Sequence, residues 1–176
     1  ILISFTIFTT IKYHFRFNED RKMLNLERIN LSIAVNSNII DKKLSGLKWI
    51  TRTYYKKPNQ EIEFIKFLRD ELLKEEKKLM LYSDYLFLSA ILEKDLNTPT
   101  RWPSLDDASN PSQDNPFHQK YITFVKNLIL TKKIDVIYST VEKKYDIFNK
   151  IFDKNCRKSE EINEVLTKHD IRNCKK

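Results

Sequence analysis

Apolar and polar positions follow several distinct patterns along this chain, and each predicts a different kind of element. The first eleven residues, ILISFTIFTTI, carry no charge, proline or glycine, and their only polar members are Ser4, Thr6, Thr9 and Thr10. Polarity then changes abruptly at Lys12, Tyr13, His14, Arg16 and Phe17. A run of this length fits roughly half of a membrane-spanning helix or a buried strand rich in Ile, Phe and Thr. The helix is preferred, mainly for the missing Met and the abrupt basic flank, and its hydroxyl side chains can bond back to helix carbonyls at little cost in lipid. Aromatic and basic residues at a polarity change also suit a membrane–water interface. The opening residue is Ile1 rather than Met, as expected of a fragment or a processed product, and the run lacks the basic start and small-residue cleavage site of a signal peptide.

From Asn18 to about Val35 the apolar residues Met23, Leu24, Leu26, Ile29, Leu31 and Ile33 give a loose helical face behind an Asn18 cap. A polar break at 36–43 follows, and Gly46 precedes a strand-like segment at 47–51. Pro58-Asn59 opens a helix with Ile62, Ile65, Leu68 and Leu72 on one face, broadened by Phe64 and Phe67. It ends in the charged run 74–78. Leu79 to Tyr82 is a short apolar strand, and 86–92 a helix. Residues 97–115, with Pro99, Pro103 and Pro111, form a loop. Pro116 then fits the first turn of a helix with Tyr121, Phe124, Val125 and Leu128 toward a core. Ile134 to Tyr138 is the clearest strand. Helices at 141–152 and 159–168, the latter capped by Ser159, precede a last strand at 170–174.

Strands alternating with helices imply a parallel sheet. The expected fold is α/β: a small three-layer sheet of about four mainly parallel strands flanked by helices, preceded by the end of a transmembrane helix. The organisation expected is membrane exit and interface at 1–17, a juxtamembrane helix and linker at 18–45, and a soluble α/β domain at 46–176.

Composition narrows the classes. With 11 Phe, 8 Tyr, 2 Trp and a single Gly, the chain is neither low-complexity nor able to form a glycine-rich phosphate loop. The net charge of +8 invites a nucleic-acid reading, but lysines alternate with acids (EEKK, EKD, KKYD, RKSEE) instead of forming a block. No nucleic-acid partner is expected.

In an open parallel sheet, ligands sit beyond the carboxyl ends of the strands. Residues 52–57, Ser83-Asp84-Tyr85 and Ser139-Thr140 should gather there, with Arg101, Trp102, Asp106 and Asp107 on a loop able to fold over them. Asp84, Tyr85, Arg101 and Trp102 are the candidate ligand-facing residues. The plainer alternatives are that Asp84 or Ser83 caps the following helix, that Trp102 anchors its loop and that Arg101 faces water. His14, His118 and His169 have no ligand spacing with either cysteine, so neither a metal nor another cofactor is expected, and no catalytic residue set is identified. Cys156 and Cys174 bracket the predicted terminal helix. A disulfide there would close a loop of about 18 residues and contribute roughly 3 kcal/mol. Such a clasp fits an extracytoplasmic domain. Two buried thiols in a cytosolic domain are the alternative, which the basic flank Lys12, Arg16, Arg21 and Lys22 favours through the positive-inside rule.

The segments HFRFNEDRKMLNLERIN (14–30), LSGLKWIT (44–51), LMLYSDYLFLSAIL (79–92), KIDVIYSTVE (133–142) and INEVLTKHDIRNC (162–174) cover most of the chain. They resemble the C-terminal region of a group of polytopic bacterial membrane proteins. That group is similar to the multi-spanning glycosyltransferases that use lipid-linked sugars, the dolichyl-phosphate-mannose mannosyltransferase type. The resemblance implies a protein integral to the bacterial inner membrane, with its catalytic acid in a non-cytoplasmic loop upstream of Ile1. This chain would then be an accessory soluble domain on the outer side, associated with the membrane and, through the parent protein, with a lipid-linked sugar or glycan acceptor. No catalytic residue of the type maps onto a position here. Two other functions fit the residues: a membrane-anchored binding or scaffold module without transferase activity, and a freestanding α/β enzyme centred on Asp84, Tyr85 and Arg101.

Overall fold

The computed structural model describes residues 2–15, 30–51, 54, 56–103, 109–141 and 147–175. They divide into two compact units, Ile1–Lys66 and Phe67–Lys176.

In the first unit the opening apolar run is a helix, α1 (Leu2–His14), and none of its residues is buried. The hydroxyls of Thr6 and Thr9 donate to the carbonyls of Leu2 and Phe5, both at 2.9 Å, as the sequence pattern requires of threonine in an apolar helix. Lys12 and His14 stand in its last turn, the favourable end of the helix dipole for a cation. Thirteen residues extend only about 20 Å, against a hydrocarbon core of about 30 Å. Among the described residues, no helix is long and apolar enough to cross a membrane.

Most of the helix expected at 18–35 lies outside the described residues, and its described end is not α-helical. Leu31–Ile33 is a 3-10 turn opened by Asn30, whose side chain accepts from the Ser32 amide. β1 (Val35–Asn36) follows and pairs antiparallel with β2 (Lys48–Trp49). The strand expected at 47–51 is therefore a short arm of a local hairpin. Two further 3-10 turns fill the connection, and Gly46 adopts φ +85°, where a Cβ would be strained. Ile40 is fully buried between them in sequence.

α2 (Pro58–Lys74) begins at its proline, as expected. Ile62, Ile65, Leu68 and Leu72 are buried, whereas Phe67 is at the margin.

The second unit is built on a four-stranded sheet. β3 (Leu79–Tyr82) runs parallel to β4 (Val136–Ser139), with Leu79 opposite Val136 and Tyr82 opposite Ser139. β6 (Thr167–Asp170) is antiparallel to β4, and β5 (Lys158–Glu161) is antiparallel to β6, giving the order β3-β4-β6-β5. The sheet is mixed and mostly antiparallel, which corrects the expectation of mainly parallel strands. The cause is local. Residues 158–170 form a hairpin, not a helix followed by a strand, and Asn163 closes its turn by accepting from the amides of Val165 and Leu166. A short loop can only return a strand antiparallel, while the parallel β3–β4 pair has a long crossover through α3 (Leu88–Leu92) and α4 (His118–Lys132). The strand expected at 170–174 is a 3-10 turn, Arg172–Lys175.

β3 and β4 are buried at all four positions. Met80, Tyr82 and Ile137 pack with Ile122, Val125 and Ile129 of α4 and with Phe148 and Ile151 of α5 (Phe148–Ile151). The Phe148 ring meets Tyr82 edge-on at 5.1 Å. Phe124, expected in this core, is 50 % exposed. Along the outer edge of β3, the Leu81 amide donates to the Leu96 carbonyl (2.8 Å), and the Asn97 side chain donates to the Leu79 carbonyl (2.9 Å). A disulfide joins Cys156, just before β5, to Cys174, just after β6, with Cα atoms 4.9 Å apart. Both half-cystines pack against the core cluster.

Candidate functional site

Because β3 and β4 are parallel, their carboxyl ends lie side by side. Ser83 and Thr140, the residues that follow them, are joined there: Thr140 Oγ1 donates to Ser83 Oγ at 2.6 Å, and the Thr140 amide donates to the Tyr82 carbonyl at 3.1 Å. Ser83 Oγ also accepts from the Tyr85 amide at 3.2 Å, so the fully buried serine closes its own turn. Neither Ser83 nor Asp84 caps α3. That position belongs to Phe87, which makes no side-chain cap bond. Asp84 is exposed and Tyr85 half-buried, its ring 6.4 Å from Phe87.

Arg101 and Trp102 stand exposed at the start of the long loop, and Asp106 and Asp107 lie outside the described residues. The loop is anchored by Asn110, 3 % exposed, whose side chain donates to the Pro103 carbonyl at 3.0 Å. Trp102 is 52 % exposed.

At the same end of the sheet, the β5–β6 turn borders a depression of about 150 Å³ lined by Thr140, Val141, Glu161, Asn163, Glu164, Val165 and Thr167. Binding sites for drug-sized ligands are typically about 300–1,000 Å³, so this one takes a small group or the end of a chain. Hydroxyls, an amide and two carboxylates over valine can hold a hydrogen-bonding ligand. Among the described residues, no group of three His, Cys, Asp or Glu side chains could hold a metal ion.

Two further polar constellations were hidden in the sequence. Glu75, 8 % exposed, accepts from Lys168 Nζ at 2.7 Å and from the Tyr138 hydroxyl at 3.1 Å. Lys168 lies opposite Tyr138 in the β4–β6 register and holds its ammonium 5.2 Å from that ring's centroid. Burial pushes the Glu75 carboxyl up, but the Lys168 hydrogen bond, the Lys77 amide and the Lys168 charge outweigh it and leave it below the usual range. Burial would likewise lower Lys168, but Glu75 and Tyr138 hold it protonated well above its ordinary value. Burial raises the Tyr138 phenol. These are the marks of a structural ion pair tying the end of α2 to the sheet.

The other constellation is Ser159 Oγ and His169 Nδ1, 2.8 Å apart across the β5–β6 register. His169 is 2 % exposed, with its ring 5.5 Å from Phe148. A base for hydrolysis must reach substrate, and this imidazole is enclosed in the core, so the pair fastens the hairpin to the unit. The β5–β6 register, in which Lys158 faces Asp170 and Glu160 faces Lys168, brings these residues together, and it is not marked in the sequence.

Comparison with protein-family models, with curated proteins and with solved structures finds no match for this chain.

Proposed function

We propose that this chain is a non-catalytic accessory domain on the outer side of the bacterial inner membrane, appended to a membrane-embedded glycosyltransferase-like protein whose catalytic part lies upstream. α1 is the exit end of a spanning helix in this reading, and the second unit is a three-layer body. Burial of every position of β3 and β4 supports the layers, since α4 and α5 residues pack with only part of those strands' side chains.

The observation that carries the membrane reading is the surface of α1. Leu2, Ile3, Phe5, Ile7, Phe8 and Ile11 are between 50 % and 82 % exposed, and they point in every direction around the helix. A helix apolar on all sides is stable only when surrounded by apolar matter. Its threonines are already satisfied by helix carbonyls, so lipid meets no open hydroxyl. The Cys156–Cys174 disulfide supports the outer side, because thiols stay reduced in the cytosol.

The test is extraction of the full chain from membranes with alkaline carbonate. The native chain is expected to stay with the lipid, and Ile7→Asp with Phe8→Asp is expected to release it. Release of both alike sinks the membrane reading. For the transferase part, the coding sequence upstream of Ile1 decides: several apolar spans with an acid in the first long loop support it, and a short polar leader refutes it. One or two spans alone would favour the membrane-anchored binding module instead.

A further inference from the structure

We propose that the outer face of α4 is a second, peripheral membrane contact: a site that lies on an anionic lipid surface and is independent of α1. Phe117 and Phe124, seven residues and two turns apart, form an exposed stripe on one side of the helix with Lys120 between them. Phe117 is 61 % and Phe124 50 % exposed. The Tyr121 ring, itself seated on the core, lies 6.4 Å from that of Phe124 and backs it. Tyr121 and Leu128 pack on the core beside Ile122, Val125 and Ile129, with the Tyr121 hydroxyl 3.3 Å from that of Tyr82, whereas Phe117 and Phe124 stay exposed.

The charge around the stripe is as unusual as its exposure. Between Asp114 and Asp135 the chain has four lysines (Lys120, Lys126, Lys132 and Lys133) and no Asp or Glu, although acids and bases alternate in most of the sequence. Lys120 and Lys126 are both exposed. Lys120 holds its ammonium 5.6 Å from the centroid of the Phe117 ring, which places the cation over the stripe. Lys150 of α5 adds a further cation at the start of the helix, bonded to His118 Nε2 at 3.0 Å. Lys132 is 3.7 Å from Asp95, an ion pair too exposed to neutralise it.

Protruding phenyl groups interspersed with amines match a surface that is anionic outside and apolar beneath. The Phe side chains enter the headgroup boundary, and lysine stems lie along it with their ammonium groups at the phosphates. A nucleic acid fits less well: the helix has no arginine to fork onto phosphates or bases.

The experiment uses the full chain carrying Ile7→Asp and Phe8→Asp, so that α1 is removed from the comparison. It is sedimented with phosphatidylcholine vesicles, with and without phosphatidylserine. Binding to the phosphatidylserine vesicles alone is expected, and it should fall as salt is raised to about 1 M. Phe124→Ser is expected to lower the partition coefficient roughly tenfold. Lys120→Gln should lower it about fivefold. Far-UV circular dichroism checks folding, and the Lys120 variant decides the matter if the serine variant does not fold. Equal binding to both vesicle types, binding unchanged by these substitutions, or binding to single-stranded nucleic acid but not to vesicles overturns the proposal. Failure of the α1 reading is seen separately, as carbonate extraction of the chain with α1 intact.

Discussion

Lys168→Met isolates the buried charge pair of the second unit. Lys168 Nζ lies 2.7 Å from Glu75 Oε2, and the side chains are 26 % and 7 % exposed. At that distance and an effective dielectric of about 20, the attraction is about 6 kcal/mol, most of it offset by desolvation. Methionine keeps the stem but leaves the carboxylate enclosed with only the Tyr138 hydroxyl and the Lys77 amide. Losing one partner of a buried pair costs about 3–5 kcal/mol, and the residual exposure of Lys168 puts this case near the lower end, about 3 kcal/mol. The pH dependence carries its own sign. In the native chain Glu75 sits below its ordinary value of 4.5, so its contribution is present above that pH and is lost as pH falls through the folded value. In the variant, burial without the cation raises the carboxyl, and protonation then relieves the strain. The cost of Lys168→Met should therefore shrink to about 1 kcal/mol near pH 3. Urea titrations followed by far-UV circular dichroism at about pH 7 and pH 3 measure both values. A cost below about 1 kcal/mol at neutral pH, or one independent of pH, would refute the reasoning.

Reducing the Cys156–Cys174 bond, or replacing both residues by Ser, should cost about 3 kcal/mol and accelerate amide exchange across 158–170; unchanged exchange would count against the clasp. Alkylation of intact cells should label these sulfurs only after reduction if the domain faces outward. In the first unit, Glu61 accepts from Trp49 Nε1 at 2.9 Å and from Thr51 Oγ1 at 2.7 Å. Glu61→Ala in a Trp102→Phe background should cost about 2–3 kcal/mol and shift Trp49 emission to the red; an unshifted spectrum would show that the indole keeps its environment. Ser83→Ala should destabilise by about 1–2 kcal/mol, because it strips the Thr140 hydroxyl of its acceptor. Asp84→Ala should stay within about 0.5 kcal/mol, and the reverse ranking would return Asp84 to a structural role.

What could be read from the sequence followed burial. Leu79 to Tyr82 announced a strand because four consecutive apolar residues are what enclosure on both faces requires, and Pro58 with Ile62, Ile65, Leu68 and Leu72 gave α2 its start and its inner face. The 159–168 segment misled for the opposite reason. β5 is exposed at all four positions, so KSEE carries no apolar alternation. Ser159 with Ile162, Val165 and Leu166 then imitates a capped helix. The cross-strand pairs that hold it become visible only once the register is known. Glu75 was similarly submerged in the charged run after α2, since nothing nearby in sequence marks it as the partner of Lys168, 93 positions away. At the strand ends, the sequence drew attention to the carboxylate of Asp84, whereas the geometry turns on the neighbouring hydroxyls of Ser83 and Thr140.

The strand order also sets a timetable for synthesis. β6 is interior to the sheet, so β4 keeps an open edge until residues 167–170 have left the ribosome, long after β3 and β4 can pair with each other. A nascent chain paused within the β5–β6 turn presents Val136 to Ser139, four buried residues in the finished unit, as an unprotected template for other strands. The outer edge of β3 has no such interval, because Leu96 and Asn97 emerge soon after it and cover it. The vulnerable moment of this chain is thus a late one, and it ends when the hairpin slides in beside β4 and the two cysteines meet.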